Sequence, residues 1–214
     1  MIERILPSWA ACAEEFGDVP VETLFPEEMP FIAKSADVRR RTFATGRYCA
    51  RTALGRLGVP PGPIPQGERG APVWPSGTVG SITHCDGYRA AAVSLTRDAA
   101  SIGIDAEPHG PLPEGVLPSI AREEEIAALR ALSTREPAIH WNLILFSAKE
   151  SVYKVWFPLT GRWLDFSEAS IELDVDGGFT VQLLADDPRM GTNRLTGRWL
   201  AAGGFILTAI VLPR

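Results

Sequence analysis

Three ionisable residues, Lys149, Glu150 and Lys154, lie inside one apolar segment running from Phe146 to Leu159. If that segment is helical, Glu150 and Lys154 stand one turn apart on a shared face, with Ser147 beside them. The neighbouring Ile144, Leu145, Phe146, Val152, Tyr153, Val155 and Trp156 belong in a core. A helix buried around most of its circumference keeps such charges only with partners. The best partners lie in Ile102 to Pro108, which reads as a buried strand ending in Asp105 and Glu107. Two residues apart in an extended chain, both carboxylates point to one face. The pair could be a solvated strand end, or ligands of a hard cation such as magnesium, with Glu150 as a third oxygen donor. Arg47, Arg51, Arg69, His84, Lys149 and Lys154 are of types suited to phosphate oxygens. A cation and basic side chains around a polyphosphate stabilise the charge that develops when a phosphoester bond exchanges. Glu150, poised at the metal, could accept a proton from an attacking hydroxyl. The residues alone lead to a magnesium-dependent enzyme acting on a phosphate-bearing cofactor.

Several elements must position these groups. Ser35 or Asp37 can cap a helix that runs to about Leu57, where Gly58, Pro60 and Pro61 stop it. Its apolar stripe is Phe43, Ala50, Leu54 and Leu57. Arg47 falls within that stripe, and a guanidinium on a core-facing stripe calls for an anion. Arg51 follows one turn later. Arg39, Arg40 and Arg41 crowd the first turn and read equally well as a solvated basic face. Residues 58 to 79 form a loop rich in glycine and proline that holds Arg69. Val79 to Cys85 and Ala90 to Leu95 read as strands joined by Asp86-Gly87, a strong hairpin signal, with Thr83 and His84 at the strand end.

The rest of the chain carries less chemistry. Trp9 to Phe16 reads as a short helix. Pro108 to Gly115 is the clearest boundary, dividing the chain into an N-terminal half, 1–108, and a C-terminal half, 109–214. Ile120 to Leu132 reads as an amphipathic helix whose Glu123, Glu124 and Glu125 form a solvated face. His140 opens the long helix that stops near Pro158. The remaining strands, Ala169 to Leu173, Phe179 to Leu184, Arg198 to Ala202 and Phe205 to Leu212, make an antiparallel meander.

With 45% hydrophobic residues in 214, the chain can bury a substantial core. A net charge of -5 argues against a general nucleic-acid binder, so any anion site must be a local cluster. Three scattered cysteines, Cys12, Cys49 and Cys85, form neither a disulfide scaffold nor a metal-ligand pattern, which fits a reducing, cytoplasmic setting. The N-terminus has no signal-peptide pattern, and no apolar run is long enough to span a membrane.

Four stretches occur in order: RRRTFATGRYCAR, GSITHC, IGIDAEP and FSAKESVYKVWFPLTGRWLDF. Together, over roughly residues 39 to 174, they resemble the enterobactin-type branch of the surfactin-synthetase-type 4′-phosphopantetheinyl transferases. The resemblance implies an α/β (α+β) fold of two similar halves related by a pseudo-two-fold axis, with coenzyme A in the cleft between them. It implies a monomer. It implies transfer of 4′-phosphopantetheine from coenzyme A to a serine of an apo acyl, aryl or peptidyl carrier protein, releasing adenosine 3′,5′-bisphosphate. Siderophore, polyketide, nonribosomal-peptide and lipid pathways all remain open.

By position, the resemblance gives Asp105, Glu107 and Glu150 to magnesium, with Glu150 as proton acceptor; Asp105 and Glu150 stand at the coenzyme as well. It gives Lys149 and Lys154 to the diphosphate and pantetheine arm, with Lys154 also in the catalytic set. Thr83, His84 and Arg69 go to phosphate, and Arg47 and Arg51 to the region of the 3′-phosphate and adenine. Ala106 departs from relatives that carry an acid there, which leaves one coordination position to water or a backbone oxygen. A coenzyme A-binding protein without activity and a magnesium-dependent phosphohydrolase are the competing readings. The intact acidic and basic positions weigh against the first. The Lys149-Glu150-Lys154 spacing weighs against the second.

Overall fold

The structure, a computed structural model, describes residues 1–214. It is an α/β architecture of two antiparallel sheets packed on helices. The first sheet has three strands in the order β1-β3-β2: β1 is Ala11–Glu15, β2 Thr78–Cys85 and β3 Tyr88–Leu95. The second has five in the order β4-β8-β7-β6-β5: β4 is Ala99–Pro108, β5 Ala169–Leu173, β6 Gly178–Leu183, β7 Arg194–Ala202 and β8 Phe205–Pro213. The helices are α1 (Asp37–Arg56), α2 (Leu117–Ile120), α3 (Glu123–Arg135) and α4 (Trp141–Thr160).

Each sheet carries one 20-residue helix. On the first, Cys49, Ala50, Ala53 and Leu54 of α1 pack on Ala13, Ala91 and Val93. Alanines on β3 let the helix approach closely. On the second, Ala148, Val152, Val155 and Trp156 of α4 join Ile171, Phe179, Val181, Ile206 and Ile210 in the largest core cluster. Gly103 of β4 is where α4 comes nearest. A Cβ there would overlap the Ser151 carbonyl and lie 2.9 Å from Val155 Cγ2. That close approach brings the polar face of α4 onto the end of β4.

The two sheets abut at β2 and β4. The Ile104 amide donates to Ser81 Oγ at 3.1 Å, and Thr83 Oγ1 lies 3.4 Å from Asp105 Oδ1. Pairing positions rise together along both strands, so the end carrying His84 and the end carrying Glu107 converge.

Three local readings change. Trp9 to Phe16 is not a helix. Ala11–Glu15 is a strand paired antiparallel with β3, Ala11 opposite Val93 and Glu15 opposite Arg89. The acidic helix α3 starts at Glu123, where the Arg122 amide donates to Glu125 Oε2 at 2.7 Å. Glu125 is buried, not solvated. The hairpin, α1 and the C-terminal meander lie where the sequence places them, within a few residues. No helix is long and apolar enough to cross a membrane.

Candidate active site

Asp105 is the hub. It is buried near the end of β4, and α4 presents three groups to it. Ser147 Oγ donates to Asp105 Oδ2 at 2.8 Å, and Lys154 Nζ donates to Asp105 Oδ1 at 2.7 Å and to the Ile104 carbonyl at 3.0 Å. Between them on the same helix face stands Glu150. Burial raises its pKa; Lys154 opposes the rise and Asp105 adds to it. Glu107 is pushed up to about 7 by burial first, then by Asp105, with Lys154 opposing and Glu150 adding. The three carboxylates therefore lie within one another's field, although 45 residues of sequence separate Asp105 from Glu150.

They do not close into a compact cluster of three ligands; Lys154 and Ser147 hold Asp105 instead. Their chemistry nonetheless fits a hard divalent cation. All donors are oxygens, and a divalent charge would offset the burial, and the smaller mutual repulsion, that raise the proton affinity of Glu107 and Glu150.

A groove opens from this hub. One chamber, about 210 Å³, is walled by Glu150, Tyr153, Lys154 and Phe157 of α4, by Ser81 of β2, and by Arg69 and Trp74 of the loop. A second, about 100 Å³, is walled by Arg39, Phe43 and Arg47 of α1, by Gln66 and by His84. Gly70, Pro72 and Ile82 line both, so the chambers are neighbours that share a wall. In the second chamber Arg47 is buried, its Nε donates to the Ile64 carbonyl at 2.6 Å, and its guanidinium lies 4.2 Å from the Phe43 ring centre. Its Nη2 has no partner. Burial lowers the Arg47 pKa to about 10 against the pull of Glu28. Arg39 Nη1 lies 3.1 Å from His84 Nε2. A guanidinium only donates, so Nε2 accepts and the imidazole is neutral with its proton on Nδ1. Desolvation by the atoms crowding its ring, although the side chain reaches solvent, then Arg39, Lys154 and Arg89, hold the His84 pKa below its usual value. Converging cations, one with an unused buried N–H, have the chemistry to receive an anion.

Comparison with known proteins gives the family. A family model described as the 4′-phosphopantetheinyl transferase N-terminal domain matches residues 27–94, and one described as the 4′-phosphopantetheinyl transferase superfamily matches residues 101–202. The chain is 53% identical to the 4′-phosphopantetheinyl transferase Svp of Streptomyces mobaraensis, over 99% of this chain and 89% of that protein. It is 47% identical to the 4′-phosphopantetheinyl transferase PptT of Mycobacterium tuberculosis (strain ATCC 25618 / H37Rv), over 99% and 98%.

The chain belongs to the 4′-phosphopantetheinyl transferase family.

Its likeness to the enterobactin branch is distant. Enterobactin synthase component D of Salmonella typhi is 35% identical over 55% of this chain and 48% of that protein. Within the transferase, Glu150, Lys154 and Arg69 stand around the first chamber, with Asp105 behind Lys154, and Arg47 and His84 around the second. Thr83 and Glu107 lie at the hub between β2 and β4.

Two of the expected coenzyme contacts are spent elsewhere. Lys149 is 2% exposed and pairs with Glu125 at 2.9 Å. It also donates to the Phe166 and Ala169 carbonyls at 2.7 and 2.8 Å, so all three of its N–H groups are used. Adjacent helix positions point in different directions, so Lys149 cannot face the groove that Glu150 faces. Arg51 is likewise committed, to Glu28 at 2.8 and 3.1 Å and to the Thr23 carbonyl at 2.8 Å.

Two participants had no assigned role in the sequence reading. Ser147 holds Asp105. Arg39 is exposed, as a solvated face requires, yet its Nη1 lies 3.1 Å from His84 Nε2 at the rim of the second chamber; it lies two turns before Arg47 on the stripe that also holds Phe43, and that spacing was the available signal. Arg69 is the one non-glycine residue with positive φ, at 51°. Its guanidinium, which lines the first chamber, lies 5.5 Å from the ring centre of the exposed Trp163.

Proposed function

We propose that the chain transfers the 4′-phosphopantetheine group of coenzyme A to a serine of an apo acyl, aryl or peptidyl carrier protein, with magnesium, and releases adenosine 3′,5′-bisphosphate. The observation that supports this reading best is the pair of adjoining chambers, one holding an unpaired, buried Arg47 and the other Glu150 and Lys154, with Asp105 held by Lys154 behind them. A dianionic phosphate suits the Arg39-Arg47-His84 chamber, and a diphosphate bridge suits the Lys154 end. Residues up to Pro108 supply α1, the loop and the β4 carboxylates; those beyond supply α4.

Glu150, its basicity raised by burial, takes the proton of the carrier serine hydroxyl. The serine oxygen forms a bond to the β-phosphorus. The bond from that phosphorus to the bridging oxygen breaks, and the bridging oxygen leaves on adenosine 3′,5′-bisphosphate. Lys154 meets the charge gathering on the phosphates, and Arg47 and Arg39 hold the departing nucleotide. Asp105, Glu107 and Glu150 would hold magnesium, which supplies charge stabilisation and orientation. Apolar walls from Tyr153, Phe157 and Trp74 exclude water along the pantetheine arm. A cytoplasmic monomer with no nucleic-acid or membrane partner completes the proposal.

The test is incubation with coenzyme A, magnesium and an apo carrier protein, followed by intact-mass measurement. Gain of one phosphopantetheine on the carrier is expected. Cleavage of coenzyme A with an unmodified carrier would overturn transfer in favour of hydrolysis.

A further inference from the structure

We propose that Glu28 is a positioning residue for Arg47, acting through the backbone of Ile64 on either side of its Cα and through Arg51; this rests on the groove being the coenzyme A site. Glu28 is 0% exposed and lies in the N-terminal segment, which carries no motif of its own. Its carboxylate is fully engaged. Oε1 accepts from the Ile64 amide at 2.8 Å and Oε2 from the Phe25 amide at 2.9 Å, while Arg51 Nη1 donates to both oxygens. A buried carboxylate persists only when paired and hydrogen-bonded in this way.

Two consequences reach Arg47. Arg47 and Arg51 stand one turn apart on α1, so a lone buried carboxylate could have served either. Arg51 takes it. Arg47 is left without an anionic partner in contact, and its Nη2 stays unpaired. The same carboxylate also clamps the Ile64 amide, and the carbonyl of that same residue receives Arg47 Nε at 2.6 Å. Glu28 thus fixes the residue whose carbonyl aims the guanidinium, and occupies the cation that would otherwise share its task. The result is one unsatisfied buried donor in a chamber it shares with Arg39 and His84.

The experiment is a double-mutant cycle read by calorimetric binding of coenzyme A and of adenosine 3′,5′-bisphosphate. Glu28→Gln, Arg47→Ala and the double variant are compared with the full-length wild type, with melting curves to establish folding. Glu28→Gln is expected to weaken both ligands about tenfold, the size of one misaimed charge-assisted hydrogen bond. It raises KM for coenzyme A and leaves kcat at saturation nearly unchanged. In the Arg47→Ala background the same change adds nothing, because its effect passes through Arg47. Glu28→Asp, which keeps the charge and shortens the reach, is expected to fall between. If Glu28→Gln does not fold, the Glu28→Asp cycle decides by the same criterion. Wild-type affinity in the folded variant, or losses that multiply in the double variant, would overturn the assignment. A wild type that binds neither ligand would instead sink the coenzyme A reading itself.

Discussion

Glu150 sits under opposing demands: burial and Asp105 favour its protonated form, and Lys154 favours its carboxylate. That balance suits a group that must take a proton and then give it up. Glu150→Gln keeps the volume and removes the proposed base. Its turnover, followed by carrier mass, is expected to fall by about 10²–10⁴-fold with little change in melting temperature; normal turnover would remove Glu150 from the mechanism. His84 makes a second prediction. Its pKa is depressed in the free protein, so between that value and the ordinary imidazole range of about 6.5 the folded state binds fewer protons than the unfolded one. Stability contributed by this group is therefore present above the usual value and lost as pH falls through the depressed one. A phosphate beside the ring reverses the penalty, so coenzyme A binding should take up a proton and strengthen as pH falls through that window. Calorimetry in buffers of different ionisation heat reads the uptake directly. His84→Asn should abolish it; persistence would place the titrating group elsewhere. At this scale the sequence spoke clearly where spacing along one element carried the information, as for Glu150 and Lys154. It was silent on Glu28, whose role depends on partners as far along the chain as Ile64.

Between residue and fold, the Lys149–Glu125 pair ties α4 to α3, and through the Ala169 and Phe166 carbonyls to the start of β5 and the turn before it. Glu125 also receives the Ile171 amide at 2.7 Å. Removing one member of a buried pair strands the other, at a cost of about 3–5 kcal/mol. Lys149→Met should accordingly lower the melting temperature and leave KM for coenzyme A nearly unchanged in whatever remains folded. Adding Glu125→Gln, whose amide oxygen can still receive Ile171, should recover part of the loss. A rise in KM without a loss of stability would return Lys149 to the substrate. Neither end of this pair was legible. Glu125 reads as one of three first-turn acids, and only the packing of α3 on α4 and β5 separates it from its exposed neighbours. β1 escaped for a similar reason. Ala11–Glu15 is short, with a burial pattern that does not alternate, and its extended form comes from pairing with β3 some eighty residues on. The hairpin and α4 carried their own signals in Asp86-Gly87 and in the long apolar segment.

At the scale of the whole molecule, the groove is built from both sides of the β2–β4 contact. Arg39, Arg47 and His84 lie with the first sheet and its helix, and Asp105, Glu150 and Lys154 with the second. A ligand filling it stitches the two together, whereas a ligand confined to the second chamber engages one side. Binding to the folded state alone stabilises by about 2.7 kcal/mol at a concentration one hundred times Kd. In a chain of this size each kcal/mol is worth about 2–4 °C, so coenzyme A with magnesium should raise the melting temperature by roughly 5–10 °C. Adenosine 3′,5′-bisphosphate, which can engage Arg39 and Arg47 but cannot reach Lys154 with a pantetheine-bearing phosphate, should give a smaller shift that is indifferent to magnesium. With coenzyme A, chelating the metal should remove part of the shift. Glu150→Gln should remove the same part, because Asp105 alone is already satisfied by Ser147 and Lys154 and a divalent ion needs the further oxygen. Equal shifts for the two ligands, unaffected by chelation, would mean that the carboxylate end takes no share in binding. The groove would then be a nucleotide site on the first sheet alone.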